Sequence, residues 1–175
     1  MRAFIAFPLP EPVRKTLSEV SRELSREVSG RFVGEDAFHI TVAFLGDIDE
    51  ETCTHVTDVM DEVCAGAESF DVICSDLKFF GRRDSATLWA GVESAQKMAR
   101  LAEKLRSGLR AGFVGFDRKP FLPHVTLARR ADLADVDLTV FSRSVSGRVD
   151  QVVLFRSDLS AEGARYAPLH TVELG

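Results

Sequence analysis

The chain has 175 residues, of which 45% are hydrophobic and 28% are charged. This balance is typical of an ordered globular protein and argues against a disordered one. Its net charge of −5 weighs against a protein that coats long nucleic acids, because such binding needs many contacts from Lys and Arg to phosphates; a local basic pocket is still allowed.

Three cysteines, Cys53, Cys64 and Cys74, are odd in number and widely spaced. This pattern favours free thiols in a reducing cytosol over a disulfide framework or a zinc site. No apolar stretch approaches the roughly 20 residues that a membrane-crossing helix needs. We therefore expect a cytoplasmic protein without a membrane partner, and a monomer, because nothing in the sequence indicates oligomerisation.

The spacing of apolar residues predicts an alternation of strands and helices along the chain. Strands are expected at 2–7, 37–45, 70–79, 87–93, 121–129, 140–145, 148–157 and 166–174. Helices are expected at 10–28, 49–65 and 94–113, with Gly30 ending the first and a short polar segment at 132–137. Strands mixed with helices through short connections favour an α+β fold with mainly antiparallel sheets.

The tripeptide His-x-Thr occurs twice, as His39–Thr41 and as His124–Thr126, in runs where apolar and polar residues alternate. On a strand, His and Thr at positions i and i+2 point to one face, while the residues between them point to the core. The duplication suggests two similar halves, each with one central strand against a long helix, and a pseudo-twofold axis is one way in which they could be related. The two His-x-Thr faces would then meet across a central cleft.

Two imidazoles, each beside a hydroxyl, suit general acid–base chemistry on a phosphodiester. A neutral imidazole removes a proton from the attacking water and an imidazolium protonates the departing alkoxide. Threonine hydroxyls and an arginine guanidinium can bind the non-bridging oxygens. The remaining histidines, His55 and His170, lack this setting and are expected to be structural or exposed.

Other chemistries find less support in the sequence. A metal site would need a third or fourth ligand, and the flanks of both motifs are apolar or cationic. A serine nucleophile would need a Gly-x-Ser-x-Gly turn, and the use of ATP would be indicated by a phosphate-binding P-loop; neither motif is present.

Further stretches accompany the two motifs: RAFIAFPLP at 2–10, FV at 32–33, LWAGV at 88–92, FLPHVTLAR at 121–129, SDL at 157–159 and GARY at 163–166. Together with the block at 38–46, they resemble the two-histidine (2H) phosphoesterases over nearly the whole chain. Within that superfamily, the chain resembles the RNA 2′,3′-cyclic phosphodiesterases, also called 2′-5′ RNA ligase-like proteins.

The resemblance implies a bilobal α+β fold with a pseudo-twofold axis, in which residues 1–175 form a single domain of two intertwined lobes. It implies hydrolysis of a terminal 2′,3′-cyclic phosphate to a 2′-phosphate with no metal or other cofactor. The partners would be RNA ends, with tRNA fragments among the candidates. His39 would be the proton donor to the leaving O3′ and His124 the proton acceptor from water, with Thr41 and Thr126 binding the phosphate.

The arginine that contacts the phosphate is ambiguous. The family carries an arginine three residues after the second threonine, and Arg129 matches that position. Strict strand alternation would instead direct Arg129 away from His124 and Arg130 into the cleft. A bulge or a strand end would restore Arg129, which we prefer, with Arg130 as the second choice.

The same catalytic pair would serve three related reactions, which the sequence does not separate. The alternatives to hydrolysis of RNA ends are the 2′-5′ joining of RNA halves and the opening of a cyclic phosphate on a small nucleotide. A non-catalytic module that binds RNA ends is the alternative from another class of protein.

Overall fold

Two antiparallel sheets organise the chain, as seen in a computed structural model that describes residues 1–93 and 96–175. The strands are β1 (Arg2–Pro8), β2 (Arg31–Phe32), β3 (His39–Asp47), β4 (Phe70–Arg82), β5 (Ser85–Glu93), β6 (His124–Ala131), β7 (Val145–Val149), β8 (Gln151–Ser160) and β9 (Gly163–Glu173). The helices are α1 (Glu11–Ser25), α2 (Glu50–Cys64) and α3 (Gln96–Ala111), with 3₁₀ turns at Glu35–Ala37 and Leu138–Val140. The predicted start of the third helix, at 94–95, lies outside the described residues.

The two sheets share one plan. The first has the strand order β3-β1-β8-β9 and the second has the order β2-β6-β5-β4-β7. In each sheet the strand that carries a His-x-Thr motif, β3 or β6, is followed by three strands in corresponding places, so the two lobes are related as the pseudo-twofold predicts. The predicted α+β class with mainly antiparallel sheets is confirmed; the assignment of residues 1–175 to a single domain stays a prediction.

The apolar stripes predicted for the helices are buried. In α1 they are Val13, Leu17, Val20 and Leu24, and in α3 they are Met98, Leu101, Leu105 and Leu109. Side chains at this spacing line one face of a helix, which turns that face to the core. No helix within the described ranges is both long enough and apolar enough to cross a membrane.

Several predicted boundaries were wrong. The first helix ends at Ser25 rather than at residue 28, although Val28 is buried just beyond it. The second motif strand begins at His124 rather than at residue 121, since Pro123 has no N–H to give to the ladder. The segment 140–145 does not form the predicted strand, because the Asp137 carboxylate accepts a hydrogen bond from Thr139 N and starts a 3₁₀ turn instead.

The sequence predicted that each motif strand is central in its half, and for β3 this prediction was wrong. Strand β3 lies at the edge of the first sheet, and β6 lies one strand in from the edge of the second because the short β2 pairs with it. Strands β3 and β6 contact each other across the two sheets. The two motifs are therefore adjacent in space because of where the sheets meet.

Helices α2 and α3 cross at Gly108. A Cβ atom at this position would lie 2.7 Å from Val59 Cγ1 and 3.2 Å from Val63 Cγ2. Valine side chains are stiff and cannot swing away cheaply. The absence of a side chain at Gly108 therefore sets how closely the two helices approach.

We expect Gly108→Ala to lower the free energy of unfolding by up to about 2 kcal/mol, because an overpacking cost of about 1–3 kcal/mol is only partly offset by the gain of about 1 kcal/mol in helix propensity. Urea denaturation followed by circular dichroism measures this difference. Gly34→Ala is the matched control, since a Cβ there meets open space at an ordinary φ of −65°. A Gly108→Ala protein as stable as the parent would show that the helix contact is loose.

Candidate active site

The first motif holds its histidine through two hydrogen bonds. His39 Nδ1 lies 2.8 Å from the carbonyl oxygen of Ala37, and His39 Nε2 lies 2.8 Å from Thr41 Oγ1. Because a carbonyl only accepts, Nδ1 carries the proton of the neutral ring. The lone pair of Nε2 then accepts a hydrogen bond from the Thr41 hydroxyl, and Nε2 is the nitrogen that can exchange a proton.

The second motif repeats this arrangement. His124 Nδ1 lies 2.6 Å from the carbonyl oxygen of Leu122, which again is two residues earlier in the chain. Nδ1 therefore donates to Leu122 and leaves Nε2 free for proton transfer. Thr126 follows on the same face of β6 and is half-buried. Both histidines are thus held in the same tautomer by the same local geometry.

Aromatic rings support each imidazole. The His39 ring lies 4.7 Å from the Phe4 ring and 5.3 Å from the Tyr166 ring, measured between centroids. The His124 ring lies 5.7 Å from Phe80 and 5.6 Å from Trp89. These contacts limit rotation of the imidazoles. None of these four aromatic residues was assigned to the site from the sequence, because strand alternation gives their face but not their neighbours across the sheet.

A bulge in β6 decides which arginine faces the cleft. Trp89 pairs with Thr126, while its neighbour Leu88 pairs with Ala128, so β6 has one extra residue between these pairs. Leu127 and Ala128 are consequently both buried. An extra residue reverses the alternation beyond it, which puts Arg129 on the face of the histidine.

Electrostatics agree with that placement. The positive charge of Arg129 lowers the pKa of His39 and acts in the same direction on the pKa of Tyr166, although burial raises that pKa overall. Both groups belong to the first sheet, so Arg129 reaches across the cleft. Arg130 takes the left-handed backbone conformation, with φ of 51°, at a further irregularity in the pairing.

The first lobe has a corresponding bulge with a different side chain beyond it. Ala6 pairs with Thr41 and Ile5 pairs with Ala43, so β3 also carries one extra residue. The position five residues after the histidine is Phe44 in this lobe and Arg129 in the other. The Arg2 guanidinium lies over the Phe44 ring, 4.8 Å from its centroid. Each lobe therefore places a cation here, but the first lobe takes it from β1.

The pKa of His39 is lowered to about 4. Burial is the main cause because it disfavours the charged ring. The charges of His124 and Arg129 lower the pKa further, while the hydrogen bond to Ala37 opposes them. His39 is therefore neutral in the free protein at pH 7, and the effect of His124 on its pKa agrees with the contact between β3 and β6.

The other two histidines lie outside this site, in agreement with the sequence. His170 Nε2 is 2.7 Å from Asp61 Oδ1 on α2, and His55 lies on α2 beside Gly112. Over residues 1–93 and 96–175, no three His, Cys, Asp or Glu side chains are grouped so that they could hold a metal ion. The structure thus brings together His39, Thr41, His124, Thr126 and Arg129.

Comparison with known proteins gives matches over most of the chain. The sequence model of the 2′-5′ RNA ligase superfamily matches residues 9–161. An RNA 2′,3′-cyclic phosphodiesterase of Thermotoga maritima is 29% identical over 97% of this chain and 94% of its own length. An RNA 2′,3′-cyclic phosphodiesterase of Thermus thermophilus is 30% identical over 99% of this chain and 90% of its own length.

The fold is shared with solved structures. The crystal structure of TT0787 of Thermus thermophilus superimposes with a TM-score of 0.85 and 28% identity, covering 99% of this chain and 98% of its own. The sequence match extends over most of the chain and includes both His-x-Thr motifs, which the two sheets bring together. The chain therefore belongs to the 2′-5′ RNA ligase superfamily of two-histidine phosphoesterases.

Proposed function

We propose that this protein hydrolyses the terminal 2′,3′-cyclic phosphate of RNA to a 2′-phosphate, without a metal, through His39 and His124. The observation that carries the proposal is the matched tautomer of the two imidazoles, which leaves Nε2 of each available on adjacent strands of opposite lobes. The relatives from Thermotoga maritima and Thermus thermophilus are RNA 2′,3′-cyclic phosphodiesterases, and their sequences match this chain over almost its full length.

The reaction needs one base and one acid on opposite sides of phosphorus. His124 Nε2 accepts a proton from water as the water oxygen bonds to phosphorus, and the bond from phosphorus to O3′ breaks. Protonated His39 donates its Nε2 proton to O3′, so the 2′-phosphate remains on the ribose. Acid–base catalysis of this kind contributes about 10²- to 10⁴-fold, and the remainder comes from orientation and charge stabilisation.

Protonation of His39 also changes what Thr41 can do. In the free protein the Thr41 hydroxyl donates its hydrogen to neutral His39 Nε2. A protonated Nε2 no longer accepts, so the hydroxyl hydrogen is released and can bind a non-bridging oxygen of the substrate. Thr126 and the forked Arg129 guanidinium bind the other oxygens in our proposal.

Because its lowered pKa keeps His39 neutral in the free protein, the role of proton donor requires that the bound substrate promotes its protonation. The cyclic phosphate is an anion, and an opposite charge close to an imidazole raises its pKa. His39 would therefore take up a proton as the substrate binds and lose it again to O3′. A donor that is neutral without substrate also leaves the Thr41 hydroxyl occupied until the phosphate arrives.

We also propose that the protein acts in the cytoplasm, as a monomer, on RNA ends such as those of tRNA fragments. Free thiols support the compartment: Cys53, Cys64 and Cys74 form no disulfide, as expected where thiols stay reduced. Burial raises the pKa of the Cys64 and Cys74 thiols to about 11, which keeps them protonated and unreactive.

We expect His39→Ala and His124→Ala each to lower kcat by about 10²- to 10⁴-fold, because each removes one proton-transfer group. The assay uses an oligoribonucleotide with a 2′,3′-cyclic end in excess EDTA, and ³¹P NMR identifies the position of the product phosphate. His170→Ala, which loses only the contact to Asp61, is the control. Substantial turnover by either folded variant would contradict the two-histidine mechanism.

Arg129→Gln should lower kcat/KM by about 10²-fold, because a charged donor to the phosphate is lost. Arg130→Gln is matched in charge and lies one residue away, and its effect should be far smaller. Steady-state kinetics on the cyclic-phosphate oligonucleotide compare the two. If Arg130→Gln lowers kcat/KM more than Arg129→Gln does, the bulge in β6 does not direct the phosphate-binding arginine as we propose.

His39 should titrate with a pKa of about 4 in the free protein. In saturating inorganic phosphate, that pKa should rise by about two to three units, towards neutral pH, since the bound anion stabilises the imidazolium. Imidazole ¹⁵N shifts followed against pH by NMR measure both values. A pKa that phosphate leaves unchanged would remove the substrate-driven protonation of His39.

A further inference from the structure

A basic groove lies between the end of α3 and the loop that follows it. The cavity has a volume of about 500 Å³ and is lined by Arg106, Arg110, Phe113, Phe116 and Arg118, together with Val114 and Gly115. Three arginines and two aromatic rings around one cavity stand out in a chain whose net charge is −5. The mechanism proposed above uses none of these residues.

The groove carries a net positive charge, because three arginines line it and Glu103 is the acidic side chain that forms an ion pair with one of them. Arg106 is only 7% exposed, and its Nη2 donates to the carbonyl oxygen of Lys119 at 2.5 Å. Within the described part of the chain, Arg106 and Arg118 form no ion pair, while Arg110 pairs with the exposed Glu103. A buried guanidinium held only by carbonyls keeps its full charge, so the groove attracts anions.

Aromatic rings alternate with these cations. The Phe116 ring lies 5.1 Å from Arg106 Cζ and 5.8 Å from Arg110 Cζ. Phe113 is 97% exposed, at a φ of 58° that a phenylalanine rarely adopts. Cationic grooves with exposed aromatic rings are the usual way in which proteins hold single-stranded nucleic acid, since bases stack on the rings.

The groove is connected to the catalytic cleft. Asp117 N donates to the carbonyl oxygen of Phe44 at 2.9 Å, which ties the loop to the free edge of β3. Phe44 is the residue that occupies the place of Arg129 in the first lobe and lies beneath Arg2. The loop of the groove and the Arg2 guanidinium therefore both contact Phe44, on the strand that carries the first motif.

An acidic cavity lies next to the groove. Phe113, Val114 and Gly115 also line a neighbouring cavity of about 830 Å³, whose acidic residues are Asp47, Asp49, Glu51 and Asp58. Carboxylates repel phosphates, so a nucleic acid strand is excluded from that cavity. Phe113 stands at the border between the two.

We propose that the groove binds the RNA strand upstream of the cyclic end, with Arg110 and Arg118 on its phosphates and a base stacked on Phe113. This inference rests on the proposed function, since it places the remainder of a strand whose end lies in the cleft. The substrate is then a single-stranded oligoribonucleotide rather than a cyclic mononucleotide. Arg106 contributes its charge and holds the loop in place.

The test compares two substrates, a 2′,3′-cyclic mononucleotide and an oligoribonucleotide of about ten nucleotides with a 2′,3′-cyclic end. For Arg110→Gln/Arg118→Gln, KM on the oligonucleotide should rise about 10-fold, and the dependence of log KM on log salt should become shallower by about one. The kcat/KM on the mononucleotide should stay within about twofold of the parent, because no contact to the cyclic phosphate is lost. Phe113→Ser should raise KM on the oligonucleotide but not on the mononucleotide, and the dependence of log KM on log salt should stay the same.

Arg100→Gln/Lys104→Gln is the matched control. It removes the same charge from the same helix, but these side chains line a different surface. The control should leave KM unchanged on both substrates. If it raises KM on the oligonucleotide as much as Arg110→Gln/Arg118→Gln does, the overall charge of the protein, not the groove, attracts RNA.

Two other results would overturn the inference. An oligonucleotide KM that Arg110→Gln/Arg118→Gln leaves at the parental value shows that RNA does not occupy the groove. An equal loss on both substrates shows that the arginines support the fold or the cleft. Hydrolysis of neither substrate by the parent protein would instead remove the proposed function, and this inference with it.

Discussion

The hydrogen bond from each imidazole Nδ1 to the carbonyl two residues earlier is the constraint on which the site depends. A neutral imidazole has one donor and one acceptor, and which nitrogen is which is set by its partners. Ala37 and Leu122 accept from the two rings, so the rings present the same nitrogen to the cleft. Both carbonyls belong to the residues just before the motif strands begin, where the backbone is not yet paired in the sheet. The tautomer of each imidazole is therefore set by the backbone just before its strand begins.

The pseudo-twofold gives two similar half-sites, and small departures from it give them different properties. Both imidazoles donate from Nδ1 to a backbone carbonyl, but His39 Nε2 also accepts a hydrogen bond from the Thr41 hydroxyl. The bulge in β6 exposes an arginine to the cleft, and the corresponding bulge in β3 exposes a phenylalanine with a cation above it. Burial and the positive charges of the opposite lobe then act on His39 and lower its pKa. The two copies of one motif thus place their imidazoles in different surroundings without a change in either motif.

Local patterns were enough to predict much of this arrangement. Strand alternation placed His39 with Thr41 and His124 with Thr126, and helical spacing gave the buried faces of α1 and α3, because both depend on neighbours along the chain. The face of Arg129 needed knowledge of the bulge at Leu127 and Ala128, which arises from pairing with β5. The edge position of β3, the short strand β2 and the rings around the histidines likewise depend on residues distant in sequence. Asp137 is an exception, since the hydrogen bond that its carboxylate accepts from Thr139 N is local and belongs to a turn pattern that sequence alone can indicate.

The order of strands in the first sheet has a consequence for how the protein is made. Strands β1 and β3 pair early in the chain, but β8 and β9, which complete their sheet, follow the whole of the second sheet. The ring of Tyr166, which packs on His39, comes from the last of these strands. On a translating ribosome the environment of His39 is thus completed only after the strands of the second sheet have been synthesised. Contacts between such distant segments slow folding, so the surroundings of His39 depend on strand pairings that form slowly.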